Sequence, residues 1–253
     1  MTWEQTNKKR LPFIRMGGRL FKGMYNDIKM ELKEVLKDRH TPESIVEAVR
    51  GFQFDDDIVQ SAYLRFYIRT GIYFAKEVKK GQRGGLEKKD NSEEVWTAII
   101  AEYVKTSVGK RIGSVTRTAY KDIEKITADV VAIGINEGWG MDKIANAIVK
   151  KQGEIDTWKA LRIARTEVIA ASNEGVMVGA SELVGSKVKV WISTFDDRSR
   201  PDHMEMDGVR VGWNDKFIVN GDQLEFPGDP LGLPENTINC RCGYEVIVEK
   251  EIY

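Results

Sequence analysis

The sequence predicts an α+β protein: a mainly α-helical N-terminal region, then a small antiparallel-sheet C-terminal module with long ordered loops. Three observations predict it. Apolar residues recur every three or four positions from Gly17 to Leu183, the period of helices that bury one face. After Gly185 the pattern changes to alternation rich in Val, Ile and Trp, which suits strands. The last sixty residues also hold both cysteines, one of the two histidines and four of the six prolines, so any special chemistry is expected there. The chain divides into a helical region over 1–108 and a module over 109–253, with helices in 116–183 and the α+β end in 187–253.

Residues 1–16 read as irregular and basic. A helix is expected from Gly17 to His40, because Leu20, Met24, Ile28, Leu32 and Leu36 repeat every four residues. Thr41-Pro42-Glu43-Ser44 is a helix start, with Thr as cap and Pro in the first turn. The next helix opens on Asp55–Asp57 and closes on Lys76, Lys79 and Lys80, the charge order the helix dipole favours. Its Tyr63, Phe66, Tyr67, Tyr73 and Phe74 do not keep to one stripe, so they are either buried or lie against another subunit.

Gly81–Ser92 is polar and glycine-rich, a candidate hinge or tip. A helix follows over 93–108. Another runs from Thr116 to Asn136, with a packing seam of Ala119, Ile123, Ile126, Val130 and Ile133. Glu137-Gly-Trp-Gly140 ends it. A short helix over 141–151 precedes a long one over 156–183. The inner stripe of that helix, Trp158, Leu161, Ala164, Val168, Ala171, Gly175 and Val178, becomes small-residued in its second half, so something packs closely there. Strands are expected over 187–195, 209–211, 217–219 and 244–248. Their sheet should pack on the 156–183 helix.

Lys plus Arg equal Asp plus Glu, so no whole-molecule field draws the chain to nucleic acid. The balance hides a gradient. Residues 1–40 hold ten Lys/Arg, among them Lys8, Lys9, Arg10, Arg15 and Arg19, against five Asp/Glu. From Asp196 onward there are thirteen Asp/Glu against six Lys/Arg. A basic head and an acidic tail fit a protein that touches two surfaces, or simply two solvated faces. A Cys-x-Cys pair cannot staple a domain by disulfide, which leaves reduced thiols or metal ligation. No apolar signal core opens the chain, and no apolar run approaches the ~20 residues of a membrane span.

Three chemistries fit the C-terminal block. His203, Cys240 and Cys242 are zinc-ligand types, and Asp196, Asp197 or Asp202 could complete four ligands. Alternatively, His203 caps its loop while the cysteines pack as small hydrophobes. A hydrolytic site could use Asp196, Asp197, Asp202 and His203, with Arg198 and Arg200 on phosphate; no phosphate loop or nucleophile elbow accompanies it. The third reading is structural: Arg198, Arg200 and Arg241 pair with Asp196, Asp202 or Asp229 and lock proline-stiffened loops. Upstream, Arg165 and Glu167 point to nearly opposite sides of their helix, one toward the sheet and one toward other helices.

In order, Ala164-Arg-Thr-Glu167, Asn173-Glu-Gly175, Trp191, Asp196-x-Arg-x-Arg-x-x-His203, Asp207-Gly208, Pro227-Gly-Asp-Pro230 and Asn239-Cys-Arg-Cys242 resemble the phage head morphogenesis family. That is the family of phage Mu protein F and the minor head proteins of tailed phages such as SPP1. The resemblance covers about 109–247. It implies a non-enzymatic minor head protein of a tailed phage or prophage. Such proteins bind the portal vertex inside the head, alongside other head proteins, and assist head assembly, DNA packaging and ejection. It places the chain in the virion, and in the host cytoplasm during assembly, without a membrane. Double-stranded DNA is a nonspecific partner for some members, and here Lys8, Lys9, Arg10, Arg15 and Arg19 would meet DNA or an acidic portal surface. Some members carry a toxin domain after this module; a chain ending at Tyr253 is expected to carry none. The alternative from another class is a metal-dependent enzyme acting on nucleic acid or cell wall through Asp196, His203, Cys240 and Cys242.

Overall fold

A computed structural model describes residues 3–82 and 92–249. Its α-helices are α1 (Trp3–Leu36), α2 (Pro42–Arg50), α3 (Asp56–Gln82), α4 (Ser92–Tyr103), α5 (Gly109–Asn136), α6 (Met141–Ser181), α7 (Pro201–Glu205) and α8 (Pro234–Thr237). Its strands are β1 (Lys187–Ile192), β2 (Arg210–Gly212), β3 (Phe217–Val219), β4 (Asp222–Leu224) and β5 (Gly243–Val248). The α+β class is as the sequence predicts. An antiparallel sheet has the order β2-β1-β5, with Trp191 opposite Tyr244 and Val190 opposite Arg210. A separate hairpin pairs β3 with β4.

Several boundaries differ from the sequence reading. Residues 3–16 are helical, not irregular. Pro12 and the basic composition argue against a helix locally, but tertiary contacts hold it. Arg10 is buried, and a Cβ on Gly17 would lie 2.6 Å from the Phe66 ring and 2.9 Å from Ala164 Cβ. Between α4 and α5 the chain does not break; a π-helical turn over Val104–Val108 carries the rotation onward. The two helices expected over 141–151 and 156–183 are one. Gln152 Nε2 donates to Asp156 Oδ1 at 2.8 Å, bridging one helical turn where a break was expected. The 81–92 hinge falls largely on residues outside those described.

Thr41 does cap α2, in a reciprocal box with Ser44. Gly138 takes the positive φ expected after α5. Strand β4 and the short helices α7 and α8 were not anticipated. The β3–β4 turn is Asn220-Gly221 with φ of 50° and 77°, a two-residue hairpin signal that was available in the sequence.

By contacts the chain forms two compact units: Met1–Gly17 with Leu64–Lys110 and Ile163–Tyr253, and Gly18–Tyr63 with Arg111–Arg162. These cut the chain elsewhere than at 108/109, because α1, α3 and α6 each give residues to both units. The second unit buries Met24, Ile28, Leu32 and Leu36 as the four-residue spacing predicts, with Ala119, Ile123, Ile126 and Val130 of α5. Ile133 and Trp158 depart from their stripes and are exposed. Trp158 lies under the Arg162 guanidinium, 4.9 Å from the ring centroid, instead of in the core.

In the first unit Phe66, Tyr67 and Phe74 are buried within the chain, and Tyr73 is partly exposed. Here α3 and α6 touch backbone to backbone. A Cβ on Gly175 would lie 2.3 Å from the Gly71 carbonyl oxygen, and one on Gly179 would lie 2.6 Å from that of Ala75. This is the close packing that the small residues of the second half of α6 predict. The C-terminal segments pack on the same half of α6. Asn173 Nδ2 donates to the Pro227 carbonyl at 2.6 Å, Tyr244 Oη donates to the Asn173 carbonyl at 3.1 Å, and the Asn239 N–H meets Thr166 Oγ1.

Candidate functional site

The site lies where three segments meet: the end of β1, the short α7, and the turn into β5. Pro201 opens α7, where its missing N–H costs nothing, and His203 falls on the inward side of that single turn. Asn239 takes a left-handed conformation, φ 56°, and turns the chain so that Cys240 and Cys242 both face inward. His203 Nδ1 is 3.7 Å from Cys240 Sγ and 3.6 Å from Cys242 Sγ. All three side chains are buried, and the candidate ligand atoms lie within 4.8 Å of one another. Both thiols are free.

The surroundings are apolar: Trp191, Met206, Phe217 and Leu224 share a core with the two cysteines. Trp191 meets the His203 ring edge-on at 5.6 Å and Phe217 at 5.2 Å. The Cys240 thiol donates toward Cys242, which pulls the Cys242 thiol below its ordinary value and pushes Cys240 up. His203 and the Thr194 N–H also favour the Cys242 thiolate, against burial.

Backbone groups around the cluster are tied individually. Ser193 Oγ donates to the His203 carbonyl, and the Ser193 N–H donates to Asp207 Oδ1 at 2.8 Å. Arg241 grips Asp196 with two nitrogens, one at 2.5 Å. This pair holds the Asp196 carboxyl well below the usual carboxylate range. Asp196 thus serves the loop lock and is not among the candidate ligand atoms around His203. The sequence placed it in both roles.

The other lock residues fall out differently. Arg200 donates to the Ile238 carbonyl at 2.7 Å, not to a carboxylate. Arg198 is exposed and approaches Asp196 at 3.7 Å. Asp202 is exposed at the start of α7. Asp229 is buried and accepts the N–H groups of Glu225 and Leu231, each at 2.9 Å, so it folds its own proline-flanked loop. Arg165 is exposed. Glu167 is buried and accepts from Tyr67 Oη of α3 at 2.5 Å.

Arg10 departs most from expectation. It is 1% exposed, so it is not a surface contact for DNA or a portal. Its guanidinium donates to Ser172 Oγ at 2.8 Å and Asn173 Oδ1 at 2.6 Å, and more weakly to the Arg241 and Cys242 carbonyls at 3.4 and 3.3 Å. Burial lowers its pKa to about 10, against the opposing effect of the two cysteines, so it stays charged near neutrality. Lys9 is also engaged, with Glu77. Lys8, Arg15 and Arg19 are exposed.

Sequence reasoning also missed buried charged groups, among them Lys189 and Glu174. Lys189 of β1 is wholly buried and pairs with Glu225 at 2.5 Å. Glu174 is buried near Asp229 and Glu225, and burial raises its carboxyl to about 8. A strand position with a Lys between two Val gives no sign that the Lys faces inward. Glu174 does sit inside the Asn173-Glu-Gly175 motif, which was such a sign.

Among comparisons with known proteins, no solved structure matches. One curated relative, named NAD(+)--arginine ADP-ribosyltransferase EFV, of Enterococcus faecalis (strain ATCC 700802 / V583), is 29% identical over 184 residues. The match covers 67% of this chain and 37% of that protein, so the chain spans little over a third of its relative. Residues 124–245 match the family described as Phage Mu protein F like protein. The matched stretch holds β1, α7, both cysteines, His203 and the half of α6 on which they pack. Over these residues the chain is similar to the phage Mu protein F-like family.

Proposed function

We propose that the chain is a minor head protein that binds the portal vertex of a tailed phage or prophage and assists head assembly, DNA packaging and ejection. The observation that carries this is the family match, which falls on the interlocked C-terminal module. The physical character of that module supports an assembly role. Its histidine and cysteines are 2–3% exposed, which suits a staple better than a reaction centre. Proline-flanked loops tied by Asp229, Arg200 and the Arg241–Asp196 pair make a rigid surface, which loses little entropy on docking. Lys8, Arg15 and Arg19 are the exposed basic residues for an acidic portal surface or for nonspecific contact with DNA. The site of action would be the virion head near the portal, reached from the host cytoplasm. No described helix is long and apolar enough to cross a membrane.

The test is co-expression with the portal and capsid proteins of the same phage. The chain should co-sediment with portal rings and enter procapsids in few copies. Absence from heads together with no portal complex would sink the proposal.

The relative's name favours a second reading, enzymatic transfer of ADP-ribose from NAD to arginine. Labelled NAD incubated with this chain and an arginine-rich acceptor should transfer no label; transfer would move the protein into the enzyme class. A metal-dependent hydrolase built on His203, Cys240 and Cys242 would need substrate to reach three buried side chains.

A further inference from the structure

We propose that His203, Cys240 and Cys242 bind one structural zinc ion, with the fourth position taken by a solvent-derived ligand. The inference is independent of the portal reading.

The geometry comes first. Zinc with ~2.3 Å bonds to sulfur and ~2.1 Å bonds to nitrogen at tetrahedral angles sets S and N about 3.6 Å apart. His203 Nδ1 lies 3.7 and 3.6 Å from the two sulfurs. Both nitrogen–sulfur edges of a zinc tetrahedron are therefore already set, and the three ligand atoms lie within 4.8 Å of one another. Among the described residues no other His, Cys, Asp or Glu joins this group. Asp196, one of the fourth ligands the sequence offers, is held by Arg241.

Charge and softness select the ion. Two thiolates and a neutral imidazole cancel a divalent charge, so the filled site is neutral in a core of Trp191, Met206, Phe217 and Leu224. Magnesium and calcium require oxygen ligands, and iron–sulfur clusters are usually held by four cysteines. A sulfur and imidazole set without redox demand suits zinc.

The backbone that carries the ligands is held in place. Ser193 Oγ fixes the His203 carbonyl, and Arg10 fixes the carbonyls of Arg241 and Cys242. The outward grip of Arg241 on Asp196 turns the middle residue of Cys-x-Cys away, so both thiols point the same way. Metal on Nδ1 places the imidazole proton on Nε2. Thr194 supplies an independent sign. Its N–H faces the Cys242 sulfur, and its Oγ1 is buried with no hydrogen-bond partner among the described residues. That hydroxyl is the group available to a metal-bound water. The ion would tie α7 to the start of β5 across 37 residues, where Cys-x-Cys alone cannot form an unstrained disulfide.

The experiment uses the full chain without a polyhistidine tag, purified under reducing conditions. Elemental analysis should find one equivalent of zinc in the wild type and none in Cys240→Ser/Cys242→Ser. Because that variant could fail to fold, zinc is also stripped from the wild type with a chelator and cobalt is titrated in. Cobalt should give tetrahedral d–d bands and a thiolate charge-transfer absorption that saturates at one equivalent and is bleached by zinc. Two results overturn the site: a wild type that neither retains zinc nor develops a thiolate–cobalt band, or a folded double variant that keeps its equivalent.

Discussion

Replacing Arg10 with methionine keeps the length of the side chain and removes its donors. The guanidinium makes two short bonds, to Ser172 Oγ and Asn173 Oδ1, and two long ones to the Arg241 and Cys242 carbonyls. Ser172 keeps a partner, since its hydroxyl donates to the Ile169 carbonyl. Asn173 Oδ1 does not keep this one, and a buried acceptor left unsatisfied costs about 1–3 kcal/mol. The two backbone carbonyls add a smaller loss. Relief from burying a cation offsets part of the sum. The expected net destabilisation is about 1–3 kcal/mol. With a urea slope of about 2–3 kcal/mol per molar, the unfolding midpoint falls by about 1 M. Near-ultraviolet circular dichroism reads the transition, with Lys8→Met as the control. Lys8 is exposed two residues away, and its replacement should stay within about 0.5 kcal/mol. Equal midpoints for the two variants would refute the burial of Arg10 and return it to the exposed basic residues available to DNA or a portal.

Glu174 makes stability pH-dependent. Its carboxyl is raised from 4.5 to about 8 by burial and by Asp229 and Glu225, so the folded state holds more protons between those values. Its contribution is full below about 4.5 and is lost as pH rises through 8. Glu174→Gln should therefore flatten the fall of unfolding free energy over that range, by up to roughly 5 kcal/mol at about 1.4 kcal/mol per pKa unit; an unchanged slope would exclude the assignment. Gly175→Ala drives a Cβ into the Gly71 backbone and should cost about 3 kcal/mol or more in denaturant unfolding. Gly18→Ala, whose Cβ would meet only Leu161 Cδ1 at 3.7 Å, should be neutral or stabilising by up to about 1 kcal/mol. Equal effects of the two would refute the close helix contact.

The His203, Cys240 and Cys242 cluster was legible because few residue types do this chemistry, and they are rare in this chain. The Arg–Asp lock was legible only as a set of candidates. Composition shows that arginines and aspartates share the loops, but not that Arg241 takes Asp196 while Arg200 takes a carbonyl. Asp229, expected to meet an arginine, accepts two N–H groups of its own loop.

The sequence by itself determined the α+β class, the switch from helix to strand after Gly185, the Thr41 cap, the buried faces of α1 and α5 and the close packing of the second half of α6. These follow from local periodicity, capping chemistry and side-chain size, which act over a few residues. The tertiary structure decided the rest. It kept residues 3–16 helical despite Pro12, joined 141–181 into one helix, and turned Arg10 from a surface charge into a buried donor beneath Cys240-Arg241-Cys242. Each of these outcomes depends on partners tens to hundreds of residues away. Arg10 meets Asn173 and Cys242 from 163 and 232 residues away, and no local pattern in the chain encodes that pairing.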